Sequence, residues 1–396
     1  MRYLLNFLSI ACCTASFFAA LWILIPAPTN FLWLFAVAAS EWSLWIGMLA
    51  LAGIIFSLAI IISNGFSTLP IVSGIAGFIA LSVSLYPLLS VLSLAKENDV
   101  NLSIARYFAA TLSLESSRHI ISLSTYTYFE SKGKRLDVNV YLPASETSNR
   151  GASVIIVHGG SWNGGVRNDF PQWNTLLAEQ GFTIFDIDYS LSPQPNYLTA
   201  TGDVKCAVRW VKTNASKFNI DPSRIAVMGR SAGAHLALLA AYSAGNEHLP
   251  SSCASNTNDE TVSAVVSFYA PINLLWAYDN PANPMVINGP LTLANFLGGS
   301  PHESDEIRSR FILASPITHV STQTPPTLLV HGGRDQLVRL ENMQFLDIKL
   351  TEANVPHQTL MLPYAQHGFD YNLNGWNSQI AGAMMLEFLS EHTRTK

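Results

Sequence analysis

"RIAVMGRSAGAHLALLAAY", residues 224–242, reads as a strand that stops at Gly229 and a helix that begins just past Ser231. The serine stands in Gly229-Arg230-Ser231-Ala232-Gly233, a G-x-S-x-G pattern. On its own the pattern is common, and an ordinary glycine-rich turn with an N-cap serine would satisfy it. Between a strand and a helix it means more. The turn is so tight that the serine must take up strained backbone angles, and a glycine two residues away on either side leaves room for the chain to fold back. The hydroxyl is then exposed at the carboxyl edge of the sheet, and the helix N-terminus behind it favours negative charge.

A hydroxyl is a weak nucleophile without a base and a group to orient that base. Asp335 follows the apolar run "TLLVHGG" in "HGGRDQLV", and His367 follows "HQTLMLP" in "AQHGFD". The chain order Ser, Asp, His is the one this strand-to-helix turn expects. Asp370 and Glu341 compete for the acid, His331 and His357 for the base. His331 falls inside the end of its own strand and His357 at the start of one, which favours His367. Attack on a carbonyl creates an oxyanion that needs preorganised N–H donors. "VHGGSW", residues 157–162, supplies Gly159 and Gly160 after an early strand, and Ala232 adds the amide next to the serine. His158 is read as a structural hydrogen bonder.

From about residue 125 short apolar runs alternate with longer helical patterns, the signature of an α/β domain. "YTYFESKGKRLDVNVYLP" reads as a hairpin turning at Lys132 and Gly133. "SVIIVHGG", "FTIFDIDYS", "RIAVMG", "VSAVVSFYA", "TLLVHGG" and "HQTLMLP" read as strands apolar on both faces, as in a buried parallel sheet. Helices are expected near 170–180, 200–218, 232–244, 339–353 and 377–393. The expectation is a mostly parallel eight-stranded sheet with helices on both faces, and no internal repeat competes with it.

The first quarter of the chain is different. Only 12% of all residues are charged, about half the ordinary share, and from Tyr3 to Ala95 the sole charged residue is Glu41. Runs at 4–25, 42–62 and 69–94 approach or exceed the ~20 apolar residues that cross a bilayer. "PAPTN" breaks the chain after the first run, and "FLWLFAVAAS" is too short to span, so it lies at the interface or lengthens the second helix. Trp22, Trp33, Trp42 and Trp45 fall near span ends, where amphipathic rings favour the headgroups. A membrane domain over 1–95 is expected. A cleaved leader is the alternative reading of the first run, with Arg2 as its basic region. Arg2 argues for a cytoplasmic N-terminal side, Lys96 and Arg106 for the reverse, so the side of the C-terminal domain stays open. A linker over 96–124 carries Ile104, Tyr107, Phe108 and Leu112 on one helix face, which packs on the soluble domain or lies on the membrane.

Cys12 and Cys13 sit within the first apolar run. Cys206 and Cys253 allow a pair without demanding one, free thiols being the commoner state. No metal-ligand spacing appears, and no metal or cofactor is implied. A net charge of −5 leaves no basic stripe for a nucleic acid, and no obligate protein partner is inferred.

The landmarks "HGGSW", "DIDYSLSP", "GDVKCAVRWVKTNASKFNIDPSRIAVMGRSAGAHLAL", "FLGGSPHE", "ASPITHV", "PPTLLVHGGRDQLV" and "HGF" together resemble the α/β-hydrolases of the hormone-sensitive-lipase and BD-FAE-like carboxylesterase group. The resemblance covers residues 125–393. It implies a serine esterase with Ser231, Asp335 and His367 as triad and Gly159, Gly160 and Ala232 as oxyanion hole. Prenylcysteine methylesterases and kynurenine formamidases share much of the pattern. Ala234 and Ser190 depart from it, where family members often have Gly and Arg; neither carries a catalytic atom. Residues 271–325 form a lid-like insertion within the 125–396 domain. Trp162, Arg230 and Trp276 are candidate substrate contacts, Arg230 toward an anionic substrate group or a surface carboxylate. The expected substrate is a small-molecule or lipid-like ester. A peptidase or amidase on the same fold is the second enzyme reading, and a binding protein on an inactive hydrolase fold the third.

Overall fold

The computed structural model describes residues 2–111, 122–131, 133–143, 151–254 and 257–394. Six helices come first: α1 (Arg2–Leu24), α2 (Asn30–Glu41), α3 (Ser43–Asn64), α4 (Thr68–Ser84), α5 (Tyr86–Glu97) and α6 (Ile104–Thr111). Small residues let α1, α3 and α4 approach closely. The hydroxyls of Ser9, Ser57 and Ser73 meet within 3.2 Å, and Gly53 and Gly77 both back onto Cys13. Ala20, Ala50 and Ala80 close the seam further along. This register makes α3 antiparallel to α1 and α4, so the C-terminal ends of α1 and α4 and the start of α3 share one end of the bundle. Small residues with shared hydroxyls are how helices associate where water supplies no driving force.

The apolar runs hold with two differences. Of the two readings of "FLWLFAVAAS", an extension of the second span is not what forms; the segment is its own helix, α2, N-capped by the Thr29 hydroxyl accepting from Leu32 N–H. The third run is a candidate span with a turn inside it. Residues Thr68–Glu97 are long and apolar enough to cross a membrane, but the helix breaks at Leu85 before Pro87. Past the break, Val91 and Ala95 of α5 pack into the core of the α/β layer. In α6, Tyr107 stacks on Trp376 at 4.4 Å and Phe108 meets Trp45 edge-on. Of the two alternatives for that apolar face, packing on the folded domain is the one observed; Leu112 lies outside the described residues, as does Lys132 of the hairpin turn.

Eight strands follow: β1 (Ser122–Ser131), β2 (Lys134–Leu142), β3 (Ser153–Val157), β4 (Thr183–Ile187), β5 (Ile225–Arg230), β6 (Ala264–Phe268), β7 (Thr327–Gly332) and β8 (His357–Leu362). They form one sheet in the order β1-β2-β4-β3-β5-β6-β7-β8. β1 with β2 and β2 with β4 are antiparallel, the rest parallel. β3 to β7 are buried along their whole length, which is why they read as uninterrupted apolar runs. Successive side chains still go to opposite layers: Ile155 and Val157 join one core cluster, Val154 and Ile156 the other. On the first face lie α8 (Tyr197–Thr213) and α9 (Ala232–Tyr242), on the second α7 (Pro171–Glu179) and α14 (Trp376–His392), joined by α5. The insertion supplies α10 (Leu274–Asp279), α11 (Gly289–Leu297) and α12 (Asp305–Leu313); α13 (Glu341–Glu352) precedes β8.

Cys206 and Cys253 are joined by a disulfide that ties α8 to the loop before β6. The pairing that the sequence left open is the one the structure has.

Candidate active site

Strand order reverses between β3 and β5: the chain leaves β3 toward β4 on one side and returns as β5 on the other. Crevices that accept ligands form at the carboxyl ends of the strands flanking such a switch point. Gly159 and Gly160 follow β3, and Ser231 follows β5.

Ser231 has φ 53 and ψ −122, a conformation that costs a non-glycine residue about 1–3 kcal/mol. The fold holds it there. Ser231 N–H donates to Phe268 O at 2.9 Å, and His235 N–H to Ser231 O at 3.0 Å. Gly233 permits the close crossing beneath: a Cβ there would lie 2.2 Å from the carbonyl oxygens of Val157 and His158. β5 and α9 can therefore meet at the acute angle that turns the hydroxyl outward.

His367 Nε2 lies 2.9 Å from Ser231 Oγ, and its Nδ1 lies 2.7 Å from Asp335 Oδ2. The other Asp335 oxygen accepts from the amides of Leu337 and Val338 at 2.8 and 2.9 Å. Burial pushes the Asp335 carboxyl up, but the pull of His367 and hydrogen bonds from His331 and His367 outweigh it and hold the group well below the usual carboxylate range. Asp335 thus stays ionised although fully buried. His331, a competing base in the sequence reading, stands behind the acid instead: its Nε2 donates to Val338 O at 2.9 Å and lies 3.3 Å from Asp335 Oδ2. His357 is paired with Asp347 at the far end of the sheet, and Glu341 with Arg339. Asp370 has another role, described below.

The β3 loop wraps the serine. Gly160 has φ 114, and a Cβ there would strike Gly164 O at 2.1 Å. Ser161 and Trp162 also take positive φ. The turn is pinned from two sides, Asn196 Nδ2 donating to Trp162 O at 2.8 Å and Trp162 Nε1 donating to His235 Nδ1 at 3.1 Å. His235 donates from Nε2 to Ala314 O at 2.8 Å. Burial lowers its pKa to about 4, against the weaker effect of that carbonyl, so it is a neutral strut. His158 donates from Nδ1 to Gly159 O and stacks on Tyr189 at 4.3 Å, a structural role as read from the sequence. No described acceptor takes the amide protons of Gly159, Gly160 or Ala232.

A cavity opens onto Ser231, with Trp162, Ala232, Pro271, Ile287, Leu293 and Leu337 among its walls. Trp162 thus lies where a substrate contact was expected. Arg230 does not. Its guanidinium is buried, 4.1 Å from the Phe170 ring centroid and flanked by Trp173 and Phe268, with Nε donating to Asp370 Oδ2. Asp370 also accepts from Tyr269 Oη, whose ring lies 4.3 Å from that of His367. The pair braces the floor beneath the histidine and faces no substrate. Trp276 is also outside the cavity wall: it packs edge-on to Phe345 and beneath the Arg339 guanidinium.

Two more residues at the site went unread. Gln336, next to Asp335, donates from Nε2 to Gln366 Oε1 at 3.1 Å, beside His367. Its Oε1 accepts from Ala27 N–H at 2.7 Å and Asn283 Nδ2 at 2.9 Å. Tyr269 directly follows β6. The signal that found Asp335 and His367, a polar residue just past a strand end, would have flagged both. Among the described residues no His, Cys, Asp and Glu cluster suits a metal.

A mostly parallel eight-stranded sheet, a strained serine at its switch point and a histidine and acid on later loops define an α/β-hydrolase. The BD-FAE family model matches residues 138–350, more than half of the chain, and the chain belongs to that family. It is 32% identical over 216 residues to the probable carboxylic ester hydrolase LipM of Mycobacterium tuberculosis, covering 54% of this chain and 48% of that protein. The esterase LipQ of the same organism is 33% identical over 225 residues, covering 56% and 51%. The chain spans about half the length of the curated relatives it matches. Among solved structures, the esterase Est2 of Thermogutta terrifontis superposes with a TM-score of 0.55 at 23% identity, over 68% of this chain and 92% of that one.

Proposed function

We propose that the protein is a membrane-anchored serine hydrolase that cleaves carboxylic esters through an acyl-enzyme. The observation that carries this reading is the hydrogen-bonded series Asp335, His367, Ser231 at 2.7 and 2.9 Å, with the cavity opening onto its serine. Ser231 Oγ attacks the ester carbonyl carbon while its proton passes to His367 Nε2. Asp335 holds the Nδ1 proton in place and stabilises the imidazolium. The carbonyl oxygen becomes an oxyanion facing the amides of Gly159, Gly160 and Ala232, whose donors need no reorganisation at that moment. As the tetrahedral carbon collapses, the ester C–O bond breaks and the alcohol leaves with the proton from His367. Water, deprotonated by His367, then releases the acid and restores Ser231. The kinship with LipM and LipQ, named as ester hydrolases, supports the choice of bond.

Anchoring rests on α1, α3 and α4. Their outward faces expose Phe7, Leu51, Ile55, Leu58, Ile75 and Phe78, an apolar surface that water does not tolerate at this extent. The proposed division of the chain is a membrane domain over 1–95, a linker over 96–124 and a catalytic domain over 125–396. Hydrolysis of p-nitrophenyl acetate by the purified protein, with Ser231→Ala reducing kcat by about 10⁴-fold or more, is the expected result. Undiminished turnover by the variant would refute the serine mechanism.

A further inference from the structure

The cavity and the helical bundle meet along one short segment of the insertion. Ala282 and Ile287 line the cavity. Between them, Asn283 Nδ2 donates to Ala27 O at 2.7 Å, and Val286 O accepts from Asn30 Nδ2 at 3.4 Å. Ala27 belongs to the turn directly after α1 and Asn30 opens α2; the last carbonyl of α1, on Leu24, accepts from Arg334 Nη1 at 3.2 Å. One wall of the cavity therefore rests on the end of a helix long and apolar enough to span a membrane. Span ends lie at the membrane–water boundary, so this wall sits at that depth.

Exposed apolar side chains flank the same junction. Phe31, next to Asn30, is 67% exposed, and Met285, next to Val286, is 66% exposed. Leu34 and Phe35 continue the Phe31 face along α2 at helical spacing, both exposed. On α11, Leu291 is exposed while Gly289, Thr292 and Leu293 line the cavity. Single exposed apolar residues need no explanation. Several of them grouped around the contact between the end of the bundle and the cavity wall fit a lipid surface, where such a helix lies with its apolar side in the headgroup boundary.

Resting on the ester-hydrolase reading above, we propose that the substrate is a bilayer-resident amphiphilic ester whose hydrocarbon chain passes from the lipid into the cavity over the rim formed by Phe31, Met285 and Leu291. The physical reason is the cost of the alternative route. Each methylene drawn through water must be hydrated first, whereas a rim in contact with lipid lets the chain move between two apolar surroundings. The ester group, at the polar end, stops at Ser231.

The full-length protein reconstituted into phosphatidylcholine vesicles tests this with two probes: a fluorogenic umbelliferyl oleate carried in the vesicles, and water-soluble p-nitrophenyl acetate. Phe31→Asp and Met285→Asp change exposed side chains, so the fold and the site are retained, and unchanged thermal melting verifies it. The expected result is a fall of tenfold or more in oleate turnover, with acetate turnover within twofold of the unaltered protein. Equal loss on both probes, or no loss on either, overturns the proposal. If the unaltered protein cleaves acetate but not vesicle-borne oleate, the lipid route is wrong and the esterase reading stands. If it cleaves neither, both fall.

Discussion

Replacing Gly233 with alanine puts the elbow geometry to its most direct test. A Cβ at this position would lie 2.2 Å from both Val157 O and His158 O, where ordinary contact begins at 3.4 Å. About 1 Å must therefore be gained, and neither neighbour can give easily, since both are main-chain atoms at the end of β3, a strand paired on both sides. The accommodating motion is withdrawal of the start of α9 from the β3 loop, which carries Ala232 and Ser231 away from Gly159 and Gly160. A misplacement of about 1 Å in a reacting group costs on the order of 10²-fold in rate, or ~2.7 kcal/mol in the barrier. The cavity walls on the insertion are untouched, so KM should stay within a few-fold while kcat falls. Steady-state kinetics on p-nitrophenyl acetate, with circular dichroism to verify folding, read both. Gly164→Ala is the control, because its nearest neighbour, Gly160 O, would be 3.6 Å from the new Cβ. A folded Gly233→Ala enzyme with kcat within fivefold, or an equal loss in Gly164→Ala, would show that the close crossing does not set the serine.

The remaining predictions concern stability and topology. Closing a loop across the 47-residue separation of Cys206 and Cys253 stabilises by about 4 kcal/mol in the chain-entropy account, so reductant should lower the melting temperature of the unaltered protein and leave a Cys206→Ala, Cys253→Ala variant unmoved. Disulfides persist in oxidising compartments, so the placement expected of an anchored protein is the catalytic domain on the oxidising side of the membrane and, by the antiparallel bundle, the Arg2 end of α1 on the other. In a Cys12→Ser, Cys13→Ser background, whose only cysteines are the joined pair, maleimide labelling of acid-quenched cells should then miss Cys206 and Cys253 until reductant is added, and labelling without it would refute the assignment. Glu41, between the spans, hydrogen-bonds Asn377 in a buried junction; burial, with a smaller push from Asp370, outweighs that bond and raises its carboxyl from 4.5 to about 8. The folded state thus holds a proton the unfolded chain has lost, so this contribution is complete below pH 4.5 and disappears as pH rises toward 8. Glu41→Gln should flatten the decline in melting temperature over that window; parallel curves for variant and unaltered protein would refute it.

What the sequence reveals and conceals follows from what pattern measures. Apolar runs flanked by turn residues located β3 to β7 because those strands are buried on both faces, and Asp335 and His367 were legible because chemistry gathers at strand ends. Polarity reports the kind of surroundings a residue needs but not which partner provides them. Arg230 is charged and stands beside the nucleophile, so substrate contact was the natural reading; its partner Asp370 is 140 residues away, and its aromatic enclosure comes from Phe170 and Trp173 at the start of α7 and from Phe268 at the end of β6. The third apolar run shows the same limit. Hydropathy does not distinguish lipid from a protein core, and Val91 and Ala95 satisfy it against α14 as well as they would in a bilayer. Gln336 shows the converse. It is an unremarkable polar residue in sequence, yet it is buried where Ala27, Asn283 and Gln366 converge. The turn after α1, the insertion and the loops carrying Asp335 and His367 thereby share one side chain, so the N-terminal helices are built into the site's surroundings and are more than a tether.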